Sequence, residues 1–216
     1  MTLPFTSAEF FATFAAYNAA IWPVQVVAYG IAAAVIVLLL RRSAASGSLI
    51  AALLALMWLW TGLAYHWLFF AAIDPPAVGF ALGFIAQAAL LVESGMLRRR
   101  IGFGYRAGLD AHVGLALVLY ATVLYPLIGS WTGHHYPAAP MFGVTPCPLT
   151  IFTLGLLLLT AGRVPWRVAL IPFVWSLIGG SAAFLLGVVQ DWALPVSGIA
   201  AAVLLARRGG SARPRV

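Results

Sequence analysis

The chain has no lysine, a single cysteine and only five acidic residues among its 216. Without a lysine amine no retinal Schiff base can form, which excludes rhodopsin-like photochemistry. The lone Cys147 excludes an intrachain disulfide, a CxxCH haem attachment and a zinc finger. Paired intramembrane carboxylates, a Ser-His-Asp arrangement, a phosphate-cradling loop and an HExxH motif are all missing, so no catalytic residue is assigned and nothing points to an enzyme. No cofactor is specified either. The charged fraction is 8%, against roughly 25% in a soluble domain.

What is present is apolar. Hydrophobic residues make up 63% of the chain and the mean hydropathy is +1.02. A chain so poor in polar surface needs the bilayer as its solvent, and the predicted fold class is an all-α, polytopic membrane helical bundle. The net charge of +7 comes from twelve arginines. In a soluble protein a pI near 10.3 would suggest nucleic acid. Here the arginines punctuate apolar runs singly or in twos and threes, which marks topology, so the partner is the lipid bilayer and not nucleic acid.

Residues 1–21 mix aromatics with Thr, Ser, Glu9 and Asn18, and Phe10, Phe14, Tyr17 and Ile21 recur at helical spacing. This predicts an interfacial amphipathic segment starting near Ser7. No basic residue precedes the first apolar run and no small-residue cleavage site follows, so it does not read as a cleaved signal peptide. The membrane domain, 22–206, divides into seven spans: Trp22–Leu40, Ser48–Ile73, Ala77–Leu97, Asp110–Ile128, Pro148–Gly162, Val168–Val189 and Trp192–Ala206. The fifth and seventh are short for a core of about 30 Å. The arginines decide in their favour: Arg41, Arg42, Arg98, Arg99, Arg100, Arg106, Arg163, Arg167, Arg207, Arg208, Arg213 and Arg215 all fall on one side of a seven-span arrangement. The positive-inside rule then puts the N-terminus outside and the Arg-rich tail, 207–216, in the cytoplasm. A bacterial inner membrane is the expected location.

One stretch is not helix-like, Gly129–Thr150, and the topology places it outside, with a structured loop at 129–147. Pro146 and Pro148 suit the first turn of a helix, with Thr145 as its cap and Cys147 at its positive end. In the second span His66 lies eight residues before Asp74, about 12 Å below the outer boundary at 1.5 Å per residue. A pocket beneath the loop is expected, lined by Thr61, Tyr65, His66, His134, His135, Tyr136 and Asp191. His66, His134, His135 and Cys147 also form a candidate metal set, since imidazole and thiolate are ligand types that soft metals accept, although their spacing matches no metal motif. Against each stands a plainer role: interhelical hydrogen bonding for His66, small-residue packing for Cys147, a proline-fixed loop for the histidines. Glu93 is expected to pair with a nearby arginine, and Asp110 to cap the fourth span. Gly79 with Gly83, Ala183 with Gly187, and Gly179-Gly180-Ser181 are expected sites of close helix approach.

Several motifs carry a resemblance. They are Trp58, Trp60, Gly62, Tyr65, His66, Phe69 and Phe70; the run from Gly133 to Thr153; the run from Pro172 to Asp191; and the opening Pro4-Phe5-Thr6-Ser7 with Tyr17-Asn18. The chain resembles a bacterial integral-membrane family, domain of unknown function 6064, over nearly its whole length. The resemblance implies a membrane architecture and supplies no reaction, although some members are labelled permeases. The expectation is a small transporter or permease-like protein with an outer-facing polar pocket, its small-molecule or ion ligand unnamed. A metal- or haem-binding accessory protein, or a structural subunit packed against a membrane-protein partner or a second copy, remains the alternative.

Overall fold

The computed structural model describes residues 4–41, 43 and 45–210. Arg42, Arg213 and Arg215 lie outside the described residues. Among the described residues there are eight helices and no strand. These are α1 (Ser7–Ala20), α2 (Val24–Arg41), α3 (Ser46–Ala72), α4 (Ala77–Leu97), α5 (Leu109–Trp131), α6 (Pro146–Leu158), α7 (Trp166–Leu186) and α8 (Val189–Arg208). Six of them, α2 to α5 with α7 and α8, are long and apolar enough to cross a membrane. Their outward faces carry exposed Leu40, Leu68, Phe184 and Val196. Such faces suit lipid, because a bilayer removes no free energy by leaving them uncovered.

Helix α6 is the centre. It has 13 residues, about 20 Å at 1.5 Å per residue, and every one is buried except the half-buried Cys147. A helix apolar on all sides belongs in the interior. Leu149, Ile151, Phe152 and Leu156 pack there with Ile50, Leu54 and Trp58 of α3 and Phe84 of α4. The approach to α5 is closest at Gly114 and Gly155. A Cβ on either glycine would stand 2.8 Å from the other's carbonyl oxygen. Only glycine permits that backbone contact.

Polar groups join the helices where apolar packing gives no register. Trp58 Nε1 donates to Thr153 Oγ1 at 2.9 Å, linking α3 to α6, and Gln87 Nε2 donates to the Val168 carbonyl at 2.9 Å, linking α4 to α7. Arg208, near the end of α8, pairs with Asp110 and donates to the carbonyls of Leu158 and Thr160. The guanidinium thus satisfies carbonyls that the end of α6 leaves open. Because Cys147 and Asp191 meet at the opposite end, α6 and α8 run side by side in the same direction.

Three local expectations change. Asp110 does not cap α5: Gly108 occupies the cap position, and the carboxylate pairs with Arg208 instead. Thr145 holds the cap position of α6, but its hydroxyl donates back to the Met141 carbonyl at 2.8 Å. Gly79 and Gly83 have no neighbour within 4 Å of a would-be Cβ, nor does Gly187, whereas Gly179 and Gly180 do meet α8 at Leu194 and Pro195. Glu93 pairs with Arg98 at 2.5 Å.

Candidate functional site

Helix α1 begins with a reciprocal cap. Thr6 Oγ1 accepts from the Glu9 N–H at 3.3 Å, while Glu9 Oε2 accepts from the Thr6 N–H and from the Thr6 hydroxyl, each at 2.8 Å, and the two bonds to Oε2 hold the Glu9 carboxyl below its ordinary range. The other end of α1 grips the loop. Asn18 Nδ2 donates to the carbonyls of Pro137 at 2.7 Å and Ala139 at 2.8 Å, and the Tyr17 hydroxyl donates to the Val144 carbonyl at 2.7 Å. Trp60 Nε1 donates in turn to the Tyr17 hydroxyl at 3.0 Å. Tyr17 and Asn18 therefore fix the loop against the bundle.

Beneath this clasp α3 widens into π turns over Thr61–Phe69. Such turns often mark functional stretches of a helix. Thr61, Gly62, Tyr65 and His66 within this stretch are all buried. Of two further π stretches, Val92–Leu97 closes α4 and Tyr120–Leu124 precedes Tyr125 on α5.

A partly open cavity of about 300 Å³ lies between α1, the π stretch of α3 and α7. Tyr65, His66, Asp74, Cys147, Trp175 and Asp191 line it, together with Phe5, Phe10, Phe14, Phe70 and Phe80. The rings form a continuous wall. Tyr65 stacks between Phe14 at 5.3 Å and Phe70 at 5.6 Å, and Trp175 stands edge-on to His66 at 5.0 Å and to Phe80 at 5.2 Å. His66 is 0% exposed, and neither Nδ1 nor Nε2 has a hydrogen-bond partner among the described residues. Leaving a buried polar group unbonded costs about 1–3 kcal/mol. Asp191 is also buried. Its Oδ1 accepts from the Tyr125 hydroxyl at 2.5 Å, and the Cys147 thiol lies against the same carboxyl. Asp74, in the turn before α4, has its carboxyl pushed up by burial.

The loop histidines lie elsewhere. His134, His135 and Tyr136 line a neighbouring cavity of about 190 Å³ with Tyr125 and Gln190. The Tyr125–Asp191 pair thus stands between the two spaces. The His134 ring stacks on Phe11 at 4.4 Å, and burial pulls its pKa below the ordinary histidine value. His135 Nδ1 lies 3.2 Å from Ser130 Oγ, and the Tyr136 hydroxyl reaches the Asn18 carbonyl at 3.5 Å. Thr61 is buried with an unpartnered hydroxyl and does not line the larger cavity. So the structure joins Tyr65, His66, Cys147 and Asp191, and separates them from His134, His135 and Tyr136. Among the described residues no three His, Cys, Asp or Glu side chains are grouped to hold a metal ion.

The arginines gather away from this site. Arg106, Arg163 and Arg208 surround Asp110 beyond the end of α6. Arg98 pairs with Glu93 at the end of α4, Arg41 closes α2, Arg99 and Arg100 follow α4, Arg167 opens α7, and Arg207 precedes Arg208 on α8.

A family model described as a family of unknown function, DUF6064, matches residues 7–213. The chain belongs to this family. No curated protein and no solved structure matches the chain. Most of the DUF6064 chain thus falls within the match, including the clasp and, apart from Phe5, the residues that line both cavities.

Residue patterns alone did not single out Tyr125, and although Trp175, Phe10, Phe14 and Phe70 stand in the motifs and spacings of the sequence, nothing there brings them to one wall. Tyr125 is one of several tyrosines in apolar helix, and only the fold brings it to a carboxyl 66 positions away. The Phe10 and Phe14 spacing did signal one inward face of α1.

Proposed function

We propose that this DUF6064 member crosses the bacterial cytoplasmic membrane seven times, with its N-terminus outside, and works as a small permease-like protein. Its ligand would occupy the cavity beneath the α1–loop clasp. The observation that carries the reading is His66: a fully buried imidazole, both ring nitrogens unpartnered, on the wall of a cavity. An intramembrane polar group that bonds to nothing in its own protein is a functional candidate by default.

Seven crossings need α6 to count as one. Its support is the parallel course of α6 and α8, from the Cys147–Asp191 contact to the Arg208 bonds. Gathering of arginines beyond that end supports a cytoplasmic C-terminus under the positive-inside rule. In this arrangement α1 lies at the outer interface.

His66→Phe tests the reading. If the imidazole is held for a ligand, removing two unbonded nitrogens leaves the purified protein at least as stable as the wild type. A fall in stability of about 2 kcal/mol or more would show that the imidazole is a structural hydrogen-bonding group.

A further inference from the structure

We propose that the larger cavity binds a small organic cation, an amine or a quaternary ammonium compound, against its aromatic wall and the Asp191 carboxylate. This rests on the cavity being a ligand site, as proposed above, and names the ligand's chemistry.

The electrostatics of the lining have one sign. Its two formally charged residues are Asp74 and Asp191, and no arginine reaches it. Arg98 pairs with Glu93 and Arg208 with Asp110, and neither arginine lines the cavity. Asp191 is 4% exposed, with neutral groups for company: the Tyr125 hydroxyl, the Cys147 thiol and the Tyr65 ring. A buried carboxylate needs a cation or a proton, and among the described residues no arginine lines the cavity to supply the cation.

The rest of the wall favours the same kind of guest. Phe14, Tyr65 and Phe70 stand in a stacked row, and Trp175 lies across the cavity lining with Phe80. The faces of such rings carry negative potential and attract ammonium groups. His66, in its neutral form, offers one acceptor for an ammonium N–H or a ligand hydroxyl and one donor for a ligand oxygen. An anion would meet two acids and ring faces, with no arginine in the lining to balance it. A purely apolar guest would leave the imidazole unbonded. At about 300 Å³ the space sits at the small end of ligand pockets.

Cys147 lines the cavity and is the only cysteine in the chain, so it reports on occupancy. The experiment follows its modification by methyl methanethiosulfonate, a small neutral reagent that forms a mixed disulfide and releases methanesulfinate. The full chain is used in detergent, with choline against its neutral isostere 3,3-dimethylbutan-1-ol, and phenethylamine against 2-phenylethanol. At least one cation is expected to slow modification fivefold or more at a concentration where its neutral partner changes the rate less than twofold. Asp191→Asn, measured against its own unprotected rate, should abolish that protection, and Trp175→Leu should weaken it. Equal effects of cation and isostere, or no protection by either cation, would overturn the cation assignment while a reactive Cys147 left the pocket standing. A Cys147 that stays unreactive even at alkaline pH, until the protein unfolds, would remove the pocket itself.

Discussion

At His134 the imidazole lies nearly parallel to the Phe11 ring, 17° apart, and this packing withdraws it from water. Burial disfavours the charged form, so the pKa falls below the ordinary value of about 6.5. The direction of linkage follows. Below pH 6.5 the released loop takes up protons more readily than the docked one, so docking weakens as pH drops from 6.5 towards the lowered pKa. Above 6.5 the effect is absent. NMR titration of the His134 ring should give a midpoint below 6.5, and Phe11→Ala should move it back up. A midpoint at or above 6.5 in the native protein would contradict the stacking. His66 poses a different problem, since no described residue hydrogen-bonds to it. Its place in a Tyr-His pair was visible in the sequence. Its missing partners were not, because partnership depends on which helices surround the ring.

Among the elements, α6 determines the packing. Gly155→Ala would drive a Cβ to within 2.8 Å of the Gly114 carbonyl oxygen, and backbone cannot yield as a side-chain tip can. A loss of about 1–3 kcal/mol is expected in detergent unfolding, with Gly83→Ala nearly neutral as its control. Equal effects of the two would show that α5 and α6 do not meet at this point. Small-residue spacing had pointed to Gly79 and Gly83, which face open space, and passed over Gly114 and Gly155. Spacing marks a face that could accept a neighbour; it does not say which face receives one. The same limit explains α6. An apolar run of this kind looks alike whether lipid or protein surrounds it, so its burial on every side was beyond the pattern. Asp110 was misread for a related reason: a local capping rule competed with an ion pair to Arg208, 98 positions away, and the long-range pair prevailed.

For the whole molecule, the large-scale order of the chain was largely legible. Apolar runs of membrane length and their arginine punctuation gave the long helices nearly at their observed bounds, because both signals are local in sequence. The site was legible in part. Tyr65, His66, Cys147 and Asp191 converge, while the loop histidines occupy the space beyond the Tyr125–Asp191 pair. The clasp explains why: Asn18 and Tyr17 hold the loop by its backbone carbonyls, which no side-chain motif records. The central claim, an outward-facing ligand cavity in a seven-crossing protein, places the native cysteine within reach of one side of the membrane. The direct test is modification of Cys147 by a small, membrane-impermeant methanethiosulfonate in sealed right-side-out and inside-out vesicles, with Cys147→Ser as control. Reaction is expected in right-side-out vesicles and protection in inside-out ones. Reaction only in inside-out vesicles, or in neither until the protein is unfolded, would contradict it.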